Sequence, residues 1–250
     1  MIDVHSHLLP GVDDGSRSFE TSAEVLARFA EQGVECVVLT PHLTASRSAD
    51  APYERHVELM EALRERTVRS PELRLGWEIM LDEPGRDLRS SRLALGGSRA
   101  VLVEFPLSGV PEQGGDELYR IRCSGVVPVL AHPERYWGCT VAKVQNWKRA
   151  GAVIQMDTAG LLGKGRIAKV SRELLEQGLV DLFASDNHGD TRTLASARDW
   201  LLEVSTPEHA ELLTRTNARR VLDGEPPAPV PPLPAANGIF SRFREMLLGR

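Results

Sequence analysis

The sequence predicts an α/β protein built from parallel βαβ units, and three observations predict it. Short β-branched, apolar runs alternate along the chain with longer segments of helical periodicity. Gly33, Gly125, Gly151 and Gly178 each fall just past a helical segment, where a left-handed residue ends a helix. The strand runs are near-continuously apolar, as in strands covered on both faces. Strand and helix alternating at this spacing give parallel strands. Seven such strands favour a closed or nearly closed barrel, with an open sheet as the alternative.

The first strand, residues 2–5, runs straight into His5-Ser6-His7, and the glycine-flanked loop Pro10-Gly11-Val12-Asp13-Asp14-Gly15 follows. A helix over 19–32 leads to a strand at 34–39, which ends at Thr40-Pro41-His42. A helix over 53–67 precedes a strand at 73–78 that ends on Glu78, and the strand at 100–104 ends on Glu104. After a helix at 117–124, the strand at 126–131 leads into His132-Pro133-Glu134-Arg135-Tyr136. A helix at 141–150 is followed by a strand at 153–157. Residues 160–164 lack the spacing of a phosphate-binding P-loop and read as a loop, with Asp157 and Lys164 near the mouth of the site. A helix at 169–177 leads to the last strand, 179–184, and to Ser185-Asp186-Asn187-His188. Helices at 193–204 and 217–222 complete this region, the latter covering the barrel. The chain divides into this body, 1–224, and a tail, 225–250. The tail is a proline- and alanine-rich linker followed by a short amphipathic helix at 239–248. That helix reads as docking on its own body or on a neighbouring subunit, with a membrane surface as the alternative.

At 250 residues, with 42% hydrophobic and 26% charged residues, the composition is that of a globular protein with a substantial core. A formal net charge of −5 without a basic run argues against nucleic-acid binding. No apolar stretch of about 18 residues would span a membrane, and no signal peptide is visible, so a cytoplasmic location is expected. The cysteines Cys36, Cys123 and Cys139 form no disulfide framework or metal knuckle. A thiolate phosphatase loop has an arginine six residues after its cysteine; here those positions hold His42, Val129 and Gln145.

Imidazoles and carboxylates recur at the C-terminal ends of the strands, which converge on one face of a β/α barrel. His5 and His7, spaced i and i+2 at a strand end, point to one side. With Asp14, His42, Glu78, Glu104, His132, Asp186 and His188 they make nine nitrogen and oxygen ligands, enough for two or three metal ions. Each alone has an ordinary alternative, such as a core histidine or a helix cap. Asp13 reads as a residue orienting a ligand or water, and Asp3 as one that holds an imidazole. His56 and His209 lie in helical patterns and read as solvent-facing.

These blocks, in this order from Met1 to about Leu222, resemble the polymerase-and-histidinol-phosphatase (PHP) superfamily. Within it, D-x-H-S-H-x-x-P-G-V-D-D-G is similar to the metal-dependent protein-tyrosine phosphatases of bacterial capsule and exopolysaccharide loci. The resemblance implies a distorted (β/α)7 barrel, of the TIM-like kind, holding three divalent ions. Manganese is the first expectation, with iron or zinc as alternatives. It further implies that His5, His7, Glu78 and Asp186 hold the first ion. Glu78 would bridge to a second, completed by Glu104 and His132, while Asp14, His42 and His188 would hold the third. Arg135 would bind the phosphate. Arg192 lies four residues after His188, where the family has an arginine about five on, and Arg47 is the sole arginine of the loop after His42.

The implied reaction is hydrolysis of phosphotyrosine on a protein by an ion-activated water, with charge on the phosphoryl group neutralised by the ions and arginine. A tyrosine autokinase controlling polysaccharide synthesis is the implied substrate, and a homo-oligomer is compatible with the sequence. Two other functions fit the same motifs. One is a phosphatase of a small metabolite such as histidinol phosphate, which the Asp14 loop disfavours. The other is a non-catalytic, metal-stabilised module of a polysaccharide-export complex, which the intact ligand set and Arg135 disfavour.

Overall fold

The computed structural model describes residues 1–67, 71–106 and 109–233. Nine strands are present among them: β1 (Ile2–Ser6), β2 (Cys36–Leu39), β3 (His42–Thr44), β4 (Glu72–Leu75), β5 (Glu78–Met80), β6 (Ala100–Glu104), β7 (Val127–Ala131), β8 (Val153–Asp157) and β9 (Leu182–Ala184). All pair in parallel. One sheet has the order β1-β2-β4 and the other β3-β5-β6-β7-β8-β9. The fold is therefore mixed α/β with parallel sheets. Just past β9 the chain meets β1: Ser6 bridges Asn187, His7 N–H donates to Asn187 O at 2.8 Å, and Asp186 N–H donates to His5 O at 3.0 Å.

The helices are α1 (Phe19–Glu31), α2 (Tyr53–Arg66), α3 (Gly114–Cys123), α4 (Val141–Arg149), α5 (Thr158–Leu162), α6 (Gly165–Glu176), α7 (Leu194–Val204), α8 (Pro207–Glu211) and α9 (Asn217–Leu222), with a π-helical turn, Leu212–Thr216, joining the last two. Their starts follow from capping chemistry: the side chains of Ser18, Thr140, Thr193 and Thr206 accept backbone N–H groups of α1, α4, α7 and α8. In α1, Val25, Leu26 and Phe29 form the buried stripe. Alternate strand residues then make two cores. Val37, Leu39, Ile79, Val103, Leu130, Ile154 and Phe183 pack against helices. Ile2, Val38, Leu102, Val129 and Leu182 cluster together with Ala218 and Val221 of α9.

The fold departs from expectation in particular places. The strand expected at 73–78 is broken at Gly76-Trp77 and its halves join different sheets, β4 beside β2 and β5 between β3 and β6. Glycine gives the close packing at this break: a Cβ on Gly76 would lie 2.8 Å from Leu95 Cδ2, so a larger residue would have to displace that side chain. The segment read as a loop at 160–164 begins inside α5, whose N-terminus is capped by Asp157. His56 and His209 are buried, each 6% exposed. The apolar face of α2 carries His56 onto the Trp77 ring, with centroids 4.6 Å apart, and His209 Nδ1 lies 2.9 Å from the Ser205 hydroxyl. The described part of the linker, 225–233, is extended but bound to the body. Ala228 exchanges hydrogen bonds with the Asn217 side chain, and Leu233 N–H donates to Leu175 O. The amphipathic helix expected at 239–248 lies outside the described residues.

Candidate metal centre

The site is assembled at the C-terminal ends of β1, β6, β7 and β9 and, in a departure from the strand ends expected there, at the first residues of β3 and β5. β1 carries His5 and leads to His7, β3 begins at His42, β5 begins at Glu78, and β6 ends at Glu104. His132 follows β7, and Asp186 and His188 follow β9. The loop 11–16 folds over His7, with Ser16 N–H donating to His7 O. Gly15 fits there because it has no side chain: a Cβ would stand 2.4 Å from His7 Cβ. Asp14 projects from this loop, largely exposed. Among described non-glycine residues, the left-handed backbone positions are His132 (φ 33°) and Asp186 (φ 47°). Both turn a side chain into the cluster at the cost of about 1 kcal/mol or more of strain.

Two carboxylates organise the centre. Glu78 Oε1 faces His132 Nε2 at 2.7 Å and His5 Nε2 at 3.4 Å; its Oε2 faces His42 Nδ1 at 2.9 Å and His7 Nε2 at 3.3 Å. Asp186 Oδ1 faces His7 Nε2 at 3.2 Å and His5 Nε2 at 3.3 Å. Its other oxygen, Oδ2, accepts from Arg135 Nη1 at 2.6 Å and Arg192 Nη1 at 3.2 Å. Asp14 Oδ1 lies 3.2 Å from His42 Nε2 and 3.6 Å from His188 Nε2. The ligand atoms gather into overlapping groups: His5, His7 and Asp186; His5, Glu78 and His132; His42, Glu78 and Glu104; and His7, Asp14, His42 and His188. All nine residues singled out by sequence are thus brought together, and both arginines with them. Glu104 and His132, expected on one ion, enter separate groups, with Glu104 Oε2 4.0 Å from His132 Nε2.

The donor chemistry fits divalent cations. His5 Nδ1 lies 3.0 Å from Gln155 Oε1 and His7 Nδ1 2.8 Å from Asp13 Oδ2, both acceptors, so each ring donates outward from Nδ1. Their Nε2 lone pairs then turn toward one point, 3.1 Å apart, beside the Glu78 and Asp186 oxygens. So many electron-rich atoms converging in a buried space call for positive charge between them. The balance of burial against neighbouring charge points the same way. Burial opposes charge on His5, yet Glu78 and Asp186 outweigh it and raise its pKa to about 9. Burial likewise opposes the charge of Glu78, but His5, His132 and His42 hold it well below the usual range. Glu104 is pushed up by burial and by the charge of Glu78.

The residues around the ligands refine the sequence reading. Asp13 does orient an imidazole, that of His7. Asp3 does not hold an imidazole: its Oδ1 accepts backbone N–H groups of Ser185 and His5, where the β1 register shifts between Asp3 and Ser6. Gln155 supports His5 instead, and its signal was a lone amide within the apolar run of β8. Asp157 lies near Arg135, Oδ2 to Nε 3.7 Å, whereas Lys164 stands at the start of α6. Arg166, which sequence reasoning also missed, donates to the carbonyls of Glu134, Arg135 and Tyr136 and so braces the loop bearing Arg135. Cys36 and Cys139 are buried, with thiols pushed to about 11 and about 12 by burial.

Known proteins share this architecture. Residues 1–223 match the family model described as capsular polysaccharide synthesis, CpsB/CapC. The chain is 30% identical to the tyrosine-protein phosphatase CpsB of Streptococcus pneumoniae, over 89% of this chain and 98% of that one. It is 29% identical to the tyrosine-protein phosphatase YwqE of Bacillus subtilis, over 92% and 96%. A crystal structure from work on YwqE and CpsB, described as metal-dependent tyrosine phosphatases, superposes with a TM-score of 0.78 at 26% identity, covering 94% of this chain and 99% of that one. A β-aspartyl dipeptidase at 14% identity and a TM-score of 0.54 shares the fold alone. With the family model spanning residues 1–223, and so all the described strands, this chain belongs to the CpsB/CapC family.

Proposed function

We propose that this chain is a metal-dependent protein-tyrosine phosphatase, with a tyrosine autokinase of polysaccharide synthesis as its substrate in the cytoplasm. The observation that carries this reading is the double engagement of Asp186. One oxygen faces the histidines and the other holds two guanidinium groups. That geometry joins a cation centre to a phosphate-binding pair, as a phosphomonoesterase requires. In this reading the strands form a distorted (β/α)7 barrel, with β1 meeting the end of β9. His5, His7, Asp14, His42, Glu78, Glu104, His132, Asp186 and His188 hold three divalent ions, manganese first among them.

Such ions supply Lewis-acid activation of water and neutralisation of phosphoryl charge. The chain's own residues do the rest. Glu78, with two oxygens facing different histidine pairs, would be the ligand shared between ions, since a carboxylate has an oxygen for each where a neutral imidazole has one lone pair. Asp13 and Gln155 fix the ring orientations of His7 and His5. Arg135 and Arg192, aligned by Asp186, offer N–H groups to two phosphoryl oxygens, which the planar guanidinium fork suits. Water attacks phosphorus as the bond to the ester oxygen breaks; the electron pair departs on a phenolate, and the proton lost by the water passes to solvent, from which the phenolate is protonated. A phenol of pKa about 10 leaves with less help than an alkoxide. Steady-state turnover on a phosphotyrosine peptide against histidinol phosphate tests the reading. A higher kcat/KM for the peptide is expected; a preference for histidinol phosphate would replace the substrate class, and no turnover in the metal-loaded protein would favour a binding module.

A further inference from the structure

The strand register places a second row of side chains beyond the ligands. His42 pairs with Glu78 and Thr44 with Met80 across β3 and β5, while Met80 pairs with Glu104 across β5 and β6. Alternate residues of a strand share a face, so Met80 stands on the Glu78 side, one step nearer the C-terminal end of β5. Over this row lies a cavity of about 240 Å3, lined by His42, Leu43, Thr44, Arg47, Met80 and Glu104. Two of these belong to the metal centre, so the cavity is continuous with it. Its character is different: the centre is built of ionisable groups, whereas the cavity adds a thioether, aliphatic carbon and one guanidinium.

Arg47 is well placed to act on a guest. It lies on the 3₁₀ turn Ala45–Asp50, and that turn is pinned by Ser46, whose N–H and hydroxyl donate to Asp82 at 3.0 and 2.6 Å. The Arg47 side chain itself is exposed and, among the described residues, has no hydrogen-bond or ion-pair partner. Its backbone is held while its charge is free.

We propose that this cavity receives the aromatic ring of the phosphotyrosine, with the Met80 thioether under the ring and the Arg47 guanidinium against its face. The inference rests on the phosphatase reading above and deepens it. A phosphoryl group held by Arg135 at the loaded centre has to direct its ester oxygen away from the ligands, and the adjoining cavity offers the leaving group a place. Sulfur and guanidinium both attract aromatic faces. A seryl or small alkyl group would leave the cavity unfilled and both contacts unmade. Selection for tyrosine therefore resides in β5 and the turn after β3, separate from the ions that do the chemistry.

Benzylphosphonate and ethylphosphonate, which differ by the ring, test this by calorimetric binding to the metal-loaded protein. The wild type binds the benzyl compound about tenfold more tightly, as burial of a ring predicts. Met80→Ala and Arg47→Ala each reduce that ratio, and the double variant brings it near one, while ethylphosphonate affinity is unchanged. Met80→Leu, which restores apolar volume, recovers most of it. A ratio near one in the wild type, or an undiminished ratio in the double variant, overturns the proposal. A ratio that collapses as expected in a protein without phosphotyrosine turnover supports the ring seat and overturns the functional reading instead.

Discussion

Two regions built by the same strands are equally buried and chemically opposite. Ile2, Val38, Leu102, Val129 and Leu182 form an apolar cluster completed by α9, and every one of them is fully shielded from solvent. His5, His7, Glu78, His132 and Asp186, at the ends of these or neighbouring strands, are no more than 2% exposed. In the first region burial is itself the driving force, at about 25 cal/mol per Å2 of apolar area. In the second, burial opposes every charge, and the groups remain there because each compensates another. The comparison teaches that stability resides in the apolar cluster and α9, and that the polar end is maintained for chemistry. Variants in the two regions should therefore fail in different ways.

The largest effect belongs to Glu78. Glu78→Gln keeps the shape but removes the charge that faces four histidines, so bound metal and turnover should both fall, turnover to roughly a hundredth or less. Arg135→Ala separates phosphate binding from metal binding: kcat/KM should fall by about 10²–10³-fold with metal content nearly intact. Near-wild-type kinetics in that variant would remove Arg135 from the site. In the apolar region the pattern inverts. Leu222→Ala, at the end of α9, should destabilise the fold by about 2–5 kcal/mol in denaturant unfolding while leaving metal content and kcat unchanged. A lost metal centre in a folded Leu222→Ala protein would erase the distinction between the regions.

The smallest effect is expected of the cysteines. Cys36, Cys123 and Cys139 replaced together should leave kcat nearly unchanged, because burial pushes the Cys36 and Cys139 thiols up to about 11 and about 12, which makes them poor nucleophiles, and Cys123 lies on the exposed end of α3, outside the ligand cluster. Assays of the triple variant and of Cys139→Ser alone check this. Loss of turnover in a folded, metal-loaded Cys139→Ser protein would return the reaction to a thiolate route.

The polar end was more legible in the sequence than the sheet that supports it. Ligand residues carry distinctive chemistry and recur at strand boundaries, so His5, His7, His42, Glu78, Glu104, His132, Asp186 and His188 could be found without knowing which strands pair, although His42 and Glu78 open β3 and β5 rather than closing the strands expected before them. Pairing was less visible. The run 73–78 reads Leu-Arg-Leu-Gly-Trp-Glu, and its single glycine can mark a break in a strand, but nothing in that pattern says that the two halves join different sheets. His56 and His209 were misjudged because helical periodicity assigns an imidazole to either face, and here the Trp77 ring and the Ser205 hydroxyl receive them. Asp3 was misjudged because the register shift in β1 interrupts simple alternation. Gln155 and Arg166 act through contacts distant in sequence, which no local spacing encodes.

The most direct test of the central claim is turnover of a phosphotyrosine peptide measured alongside metal content by elemental analysis, through chelation and re-addition. The account predicts that activity falls in step with bound metal and returns when manganese or a similar divalent ion is restored. Strong turnover persisting after exhaustive chelation, with the loss of metal verified in the same sample, would contradict it.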